Sequence, residues 1–441
     1  MDIVQAVRDA GVVGAGGAGF PTHVKAAAKA ETVIVNGAEC EPLLHKDKEI
    51  LKAFPEEVLS GLEAVVRATG AREGVLALKA KHKALVEKYS GLLKSRKPLR
   101  LATLDDYYPA GDEFCLVYEV TKRLIPPGGL PLQVGTVVSN VETFYNVARA
   151  AAGEPVTDTF LTVAGAVQGP CTLRLPVGTP MSHAIAEAGG AVVKDFAVID
   201  GGPMMGRVLF DASEPLTKTS GGFIVLPPGH PLVRRKSAPR RVFSRIGQSA
   251  CDQCSYCTEF CPRYLLGYPI QPHRVMRSLG FSGDRKPLNE WALMCCECSL
   301  CSLYACPEQL DPRNVCVAAK GDLRASKVDW KASSLNTGQA PRAHSMREFR
   351  KVPVARLVRR LGLWDYLSDA PLTETKVPVR RVRIPLKQHV GAPCVPSVSV
   401  GQKVTRGQVI GEVPDKQLGA RVHASIDGVV RAVDAAVTIE A

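Results

Sequence analysis

The chain has 441 residues, 46% hydrophobic and 22% charged, with a formal net charge of +13 and fourteen cysteines. That size predicts two to four domains with full cores, and the balance of apolar and charged residues is that of a soluble globular protein. No apolar run approaches the ~18 residues a spanning helix needs, and Met1-Asp2-Ile3-Val4-Gln5 lacks the charged and apolar regions of a secretion signal.

In chain order, Asp2 caps a short helix whose apolar face is Ile3, Val4 and Val7, ending at Gly11. The loop Gly14-Ala15-Gly16-Gly17-Ala18-Gly19-Phe20-Pro21-Thr22 follows, then a helix from about Thr22 and the strand Thr32-Val33-Ile34-Val35. Pro55 to Thr69 has the spacing of an amphipathic helix (Val58, Leu59, Leu62, Val65, Val66), and Val75 to Leu78 that of a buried strand. This alternation predicts an α/β domain with a largely parallel sheet over residues 1–153. Short strands and turns with a helix after Met181 then predict a β-grasp-like module over 156–232. A basic linker, Pro231 to Gly247, leads to a cysteine-rich domain spanning 245–325, and residues 326–376 read as an extended linker with a basic helix at Val354 to Leu361. Residues 377–441 alternate apolar and turn residues, as in Val400 to Val404 and Gly407 to Gly411, and resemble the barrel-sandwich hybrid of biotinyl and lipoyl carriers. Ser425-Ile426-Asp427 stands where a carrier would place its lysine, so this module is expected to dock or pack and to carry no prosthetic group.

Eight cysteines fall into two bursts: Cys251, Cys254, Cys257, Cys261-Pro262 and Cys295, Cys298, Cys301, Cys306-Pro307. Triplets before a Cys-Pro match the ligand pattern of a two-cluster ferredoxin, in which the fourth cysteine of each run serves the other cluster. The pattern therefore predicts a ferredoxin-like domain with two 4Fe–4S clusters. One would be held by Cys251, Cys254, Cys257 and Cys306, the other by Cys295, Cys298, Cys301 and Cys261. Zinc ribbons also use paired cysteines, but they take two pairs rather than triplets with Cys-Pro. The second run has four residues before its last cysteine, one more than the first, and Cys296 competes with Cys295 as ligand. The other cysteines have no disulfide rhythm, which predicts a reducing cytoplasmic setting. The basic runs Arg234-Arg235-Lys236, Arg240-Arg241, Arg359-Arg360 and Arg380-Arg381 lack interleaved aromatics, so no nucleic-acid partner is expected. They read as solvated linker charge or as a steering surface for an acidic cofactor or partner.

The glycine loop suits an anionic or planar cofactor, because glycines allow close backbone approach and a helix start follows. It does not follow a strand, which argues against a simple dinucleotide fingerprint. With Asn36-Gly37-Ala38-Glu39-Cys40-Glu41-Pro42, Tyr108-Pro109-Ala110-Gly111-Asp112-Glu113 and Asn140-Val141-Glu142-Thr143, it resembles the FMN-binding domain shared by the flavin subunit of respiratory complex I and the C subunit of the Rnf electron-transport complex. Gly201-Gly202-Pro203-Met204-Met205-Gly206 and the cysteine pair extend the resemblance to the Rnf subunit, whose barrel-sandwich module usually opens the chain. With that module at the end, the whole chain is similar to the cobalamin reductase family of propanediol-utilisation microcompartments.

The resemblance implies a multidomain α/β architecture: an FMN-binding α/β domain, a β-grasp-like module, a two-cluster ferredoxin-like domain and a C-terminal barrel-sandwich hybrid. It implies FMN and NADH as cofactors beside the clusters, with Gly14, Gly16, Gly17, Gly19, Phe20, Lys25, Asn36, Glu39, Tyr108, Gly111, Asp112 and Asn140 around the flavin. Glu41 and Glu113 match positions near the nicotinamide side. From the residues alone, Lys25 reads either as a partner of a flavin phosphate or ring oxygen or as a solvated helix lysine, and Phe20 either as a stacking ring or as core. Ala38 and Ser139 depart from the complex I pattern, standing for an acidic flavin contact and the first of two paired asparagines. The implied activity is NADH-dependent reduction of cobalamin, supporting coenzyme B12 recycling during 1,2-propanediol degradation. It brings an adenosyltransferase partner, a possible shell-protein contact and a place inside a microcompartment, without a membrane-spanning segment. Two other roles fit the same motifs: a peripheral NADH-oxidising subunit of an Rnf-type ion pump, and a non-enzymatic iron–sulfur relay or scaffold.

Overall fold

Strands β1 (Thr32–Gly37), β2 (Glu73–Lys79), β3 (Leu99–Leu104) and β5 (Thr136–Asn140) form an all-parallel sheet in the order β3-β2-β1-β5, and β4 (Tyr107–Tyr108) lies outside it. The computed structural model describes residues 2–441. Side chains of a strand alternate between faces. Val33, Val35, Leu76 and Leu78 therefore pack with the helices Pro55–Thr69 and Val141–Ala151, while Ile34, Val75 and Ala77 pack with Leu116 and Val117 of the helix Glu113–Thr121. Burial on both faces is why these strands read as apolar runs. The helix Pro55–Thr69 begins on a proline and ends at Gly70, whose φ of 65° closes the last turn.

A second sheet joins β6 (Asp158–Gly165), β7 (Cys171–Pro176), β8 (Ala197–Asp200), β9 (Arg207–Leu209) and β10 (Gly222–Leu226) in the order β7-β6-β10-β8-β9. Only β6 and β10 pair in parallel, and the helix Met181–Glu187 buries Met181, Ala184 and Ile185 on one face.

The expected linker Pro231 to Gly247 is instead two helices, Pro231–Lys236 and Arg240–Ala250. His230 caps the first through the amide of Leu232, and Gly247 lets the second approach Met276 and Leu279 closely. Charge density had masked the helical spacing. Nor is the segment 326–376 a free tether. Arg347 bonds Glu119 at 2.7 Å, Val352–Pro353 pairs antiparallel with β4, and the helix Val354–Arg360 buries Val354, Leu357 and Val358. Its apolar residues enter a shared core with Tyr108, Ile199, Met204, Cys298 and Leu300, so this strap binds three regions together.

The C-terminal region stacks a four-stranded and a three-stranded sheet around Val382, Ile384, Ile410, Val422, Val430 and Ile439. At the carrier-lysine position, the buried Ser425 hydroxyl donates to Val177 O at 2.6 Å. The Lys218 ammonium bonds Gly11 O and Arg421 O, joining this module to the N-terminal domain. Among the described residues, no helix is long and apolar enough to cross a membrane.

Candidate functional site

In the order β3-β2-β1-β5 the strand order reverses at β1, with β2 on one side and β5 on the other, and open parallel sheets bind ligands at the carboxyl ends of strands at such a switch. Asn36, next to last in β1, and Asn140, last in β5, stand side by side. Asn36 Nδ2 donates to Gly111 O at 2.9 Å, and Asn140 caps the next helix through the amide of Glu142 while its own Nδ2 donates to Asp47 Oδ2 at 2.7 Å. The glycine loop crosses the same point. A side chain at Gly16 would stand 3.4 Å from Asn140 Cβ, and Gly17 and Gly19 take φ of 105° and 66°. Gly14 O and Phe20 O accept amide bonds that close the loop.

Behind this crevice lie charged groups that sequence reasoning did not single out as site residues: Lys46, Asp47 and Glu142. Lys46 Nζ bonds Glu142 Oε2 at 2.9 Å and Ala15 O at 3.0 Å, with both charged side chains almost fully enclosed. Burial opposes the Lys46 charge, but Glu142 and Asp47 outweigh it and hold the ammonium protonated. Ala15 N donates to Thr143 Oγ1, so the loop is pinned at both its carbonyl and its amide. The expected site residue Glu39 accepts from Asp47 N, and burial together with Asp47 pushes its carboxyl up to about 8. The signal was present: Lys46 and Asp47 lie three or four residues before Ile50 and Leu51, on the helix face that turns inward.

Lys25 Nζ donates to Val138 O at 2.7 Å and lies 3.6 Å from Glu113 and 6.0 Å from the Phe20 ring centroid. It is an anchored, half-buried cation at the crevice edge. Three other residues face neighbouring regions. Glu41 receives the amides of Met204 and Met205, both at 2.8 Å, and burial raises its carboxyl to about 7. Asp112 caps the helix Glu113–Thr121 and pairs at 2.8 Å with Arg263, whose guanidinium stacks 3.5 Å from the Phe114 ring. Tyr108, fully buried, donates its hydroxyl to Cys298 O at 2.8 Å.

The cysteine runs share one backbone. Gln253 and Ser255 flank Cys254 with φ of 60° and 64°, and Glu297 and Ser299 flank Cys298 with 62° and 63°. That correspondence aligns Cys251 with Cys295 and leaves Cys296 in the register of Asp252. The extra residue before Cys306 is absorbed as a π-helical turn, Cys301–Ala305, where the first run has the α-turn Tyr256–Glu259. On top of burial, the charges of Cys251, Cys306 and Cys254 raise the Cys257 thiol, those of Cys296 and Cys295 raise Cys261, and those of Cys295, Cys257 and Cys261 raise Cys301. Burial and these thiol neighbours push Cys257 up to about 12 and hold Cys261, Cys298 and Cys301 high, while the neighbouring Cys316 thiol and the Glu297 amide draw Cys295 down to about 7.

The residues fit the groups the resemblance implies. Crowded buried thiols resist ionisation unless a cationic centre neutralises them, which an iron–sulfur core supplies. Amides already point at sulfur: Glu297 N lies 3.4 Å from Cys295 Sγ and Leu310 N 3.3 Å from Cys306 Sγ. At the crevice, Asp47 Oδ1 is buried without a hydrogen-bond partner, an acceptor that a flavin donor would satisfy. A polar cavity of about 380 Å³ opens at Gly17 and Ala18, with Arg207, Lys387 and His389 on its walls.

The profile of the Nuo51 FMN-binding domain matches residues 7–149, the SLBB domain 160–208, a 4Fe-4S dicluster domain 250–311 and the RnfC barrel sandwich hybrid domain 365–441. Cobalamin reductase PduS of Salmonella typhimurium is 43% identical over 99% of this chain and 96% of its own length. The chain belongs to the PduS family. PduS of Citrobacter freundii is 42% identical, over 97% of this chain and 94% of its own. The C subunit of the Na(+)-translocating ferredoxin:NAD(+) oxidoreductase complex of Acetobacterium woodii is 33% identical over 60% of this chain and 58% of its own. A solved NAD+-reducing [NiFe]-hydrogenase covers 83% of this chain and 67% of its own at 22% identity, with a TM-score of 0.48. This PduS-family chain is thus an oxidoreductase with an FMN-binding domain, an SLBB domain, a 4Fe-4S dicluster domain and a barrel-sandwich hybrid, the multidomain α/β architecture expected from its motifs.

Proposed function

We propose that this chain oxidises NADH and delivers the electrons singly to cobalamin, restoring coenzyme B12 during 1,2-propanediol degradation beside an adenosyltransferase in a microcompartment. When bound, FMN supplies the exchange between two-electron and one-electron chemistry, and two 4Fe–4S clusters supply single-electron transfer. The protein supplies position. Asn36, Gly111 and Asn140 edge the flavin crevice; the Lys46–Glu142 pair and Thr143 hold the glycine loop over it; Lys25 offers a cation at its rim. Cys251, Cys254, Cys257 and Cys306 hold one cluster, and Cys261, Cys295, Cys298 and Cys301 the other.

One observation carries the reading: the bond from Tyr108 to Cys298 O joins a flavin-motif residue to a cluster-motif backbone through buried atoms. The Arg263–Asp112 pair, beside Cys261-Pro262, fixes the same joint a second time. The test is anaerobic purification followed by flavin and iron analysis and NADH-driven reduction of hydroxocobalamin. Stoichiometric FMN, iron for two clusters and corrinoid reduction are expected. Zinc in place of iron, or loaded protein inert toward NADH and corrinoid, would end the proposal.

A further inference from the structure

The run Arg234-Arg235-Lys236, which the electron path does not use, lines a cavity of about 490 Å³. It lies between the turn after Met204, the helix Arg240–Ala250 and the cysteine-rich domain, and its volume is that of a small-molecule site. Two properties set it apart. Met205, Val242 and Ile246 are apolar side chains about half exposed at its walls, with Val242 and Ile246 one helical turn apart. Arg207 and Arg313 on its wall pair with Asp200 and Glu297, but the other three cations are under-neutralised. Arg235 bonds the carbonyls of Ser302 and Gln309, Lys236 bonds Met204 O, and among the described residues neither these two nor Arg234 forms a salt bridge with a carboxylate. Asp311 is the one acidic side chain on the wall, and it is occupied by Ser302 and Asn314.

The floor is the chain that carries the cysteines. Ser302 Oγ stands 3.9 Å from Cys301 Sγ, and Leu310 N stands 3.3 Å from Cys306 Sγ. In the crossed arrangement Cys301 and Cys306 serve different clusters, so a molecule seated here lies one residue away from both.

We infer that this cavity is where the corrinoid acceptor docks, with its apolar edge against Met205, Val242 and Ile246 and its phosphodiester toward Arg234 and Arg235. The inference rests on the cobalamin reading and adds its place. Each cobalt reduced takes one electron from the cysteine-held iron, and the two electrons of one NADH serve two corrinoids. A molecule with both an apolar edge and an anionic phosphodiester matches the apolar wall and the free guanidinium, whereas a purely apolar ligand would leave the cations unanswered.

The experiment measures equilibrium binding of hydroxocobalamin and of cobinamide, which lacks the phosphodiester, to the loaded full-length protein. NADH-driven ferricyanide reduction runs alongside as a control. Arg234→Glu and Val242→Asp each change an exposed side chain, and each is expected to raise the hydroxocobalamin Kd at least about tenfold with ferricyanide reduction unchanged. Cobinamide should bind wild-type protein more weakly and respond to Val242→Asp but not to Arg234→Glu. Hydroxocobalamin binding untouched by either variant overturns the cavity assignment while leaving the cobalamin reading intact. Equal loss of cobinamide binding in Arg234→Glu overturns the phosphodiester contact. Wild-type protein that neither binds nor reduces hydroxocobalamin overturns the reading beneath it.

Discussion

The two cysteine runs have the same left-handed pairs around their central cysteine but stand in different surroundings. In the first, Cys254 is exposed and Cys251 partly so, under the helix Arg240–Ala250. In the second, Cys298 and Cys301 are buried, and Cys298 carries the bond from Tyr108. A repeated local motif therefore builds two unequal sites: the second meets both the flavin domain and the basic cavity, and the first stands closer to solvent. Backbone geometry sets what each run can hold, and the packing around it sets its place in the path.

The sharpest way to break this comparison is to exchange the two candidate ligands. Cys295→Ser should lose about half the iron and abolish NADH-driven corrinoid reduction. Cys296→Ser should keep full iron content, and the reverse result would shift the register by one residue. Next in size is Arg263→Ala, which leaves Asp112 unpaired in the joint between domains and removes the stack on Phe114. A loss of about 3 kcal/mol in denaturant unfolding is expected, and Arg263→Lys should recover little because an ammonium cannot stack as a plane. Tyr108→Phe removes one buried hydrogen bond, so about 1 kcal/mol and a slower flavin-to-iron step are expected, with flavin and iron content unchanged. Stopped-flow at the flavin absorbance reads that step.

The smallest effect is on pH dependence, and it is read in the flavin domain. Burial holds His45 and His82 neutral, with folded pKa values of about 4 against an ordinary 6.5. The unfolded chain takes up protons as pH falls from 6.5 to 4 and the folded chain does not, so stability is lost across that window. Melting temperatures of His45→Gln should fall less steeply between pH 6.5 and 4 than those of wild type; parallel slopes would contradict the burial argument.

Much of this was legible in the residues. The β1 and β2 runs and the helix Pro55–Thr69 follow from local spacing, and local spacing is what a sequence displays; the choice between Cys295 and Cys296 did not. Three things were not legible. Arg240–Ala250 is a helix despite its charge, because it docks through Gly247 at Met276 and Leu279, Phe243 in the cysteine-domain core and the Arg240–Asp322 pair, all partners distant in the chain. Glu41 and Asp112 bond Met204 and Arg263, partners more than one hundred residues away, which no local pattern announces. The pair Lys46–Glu142 spans 96 positions and becomes a site feature only when the sheet brings the two together.

The strap that crosses β4 is made after both cysteine runs have left the ribosome. Until Val352–Pro353 pairs with Tyr107–Tyr108, the seam behind Cys298 lacks its last cover. The strap is thus the segment that completes the cover over the joint between Tyr108 and Cys298.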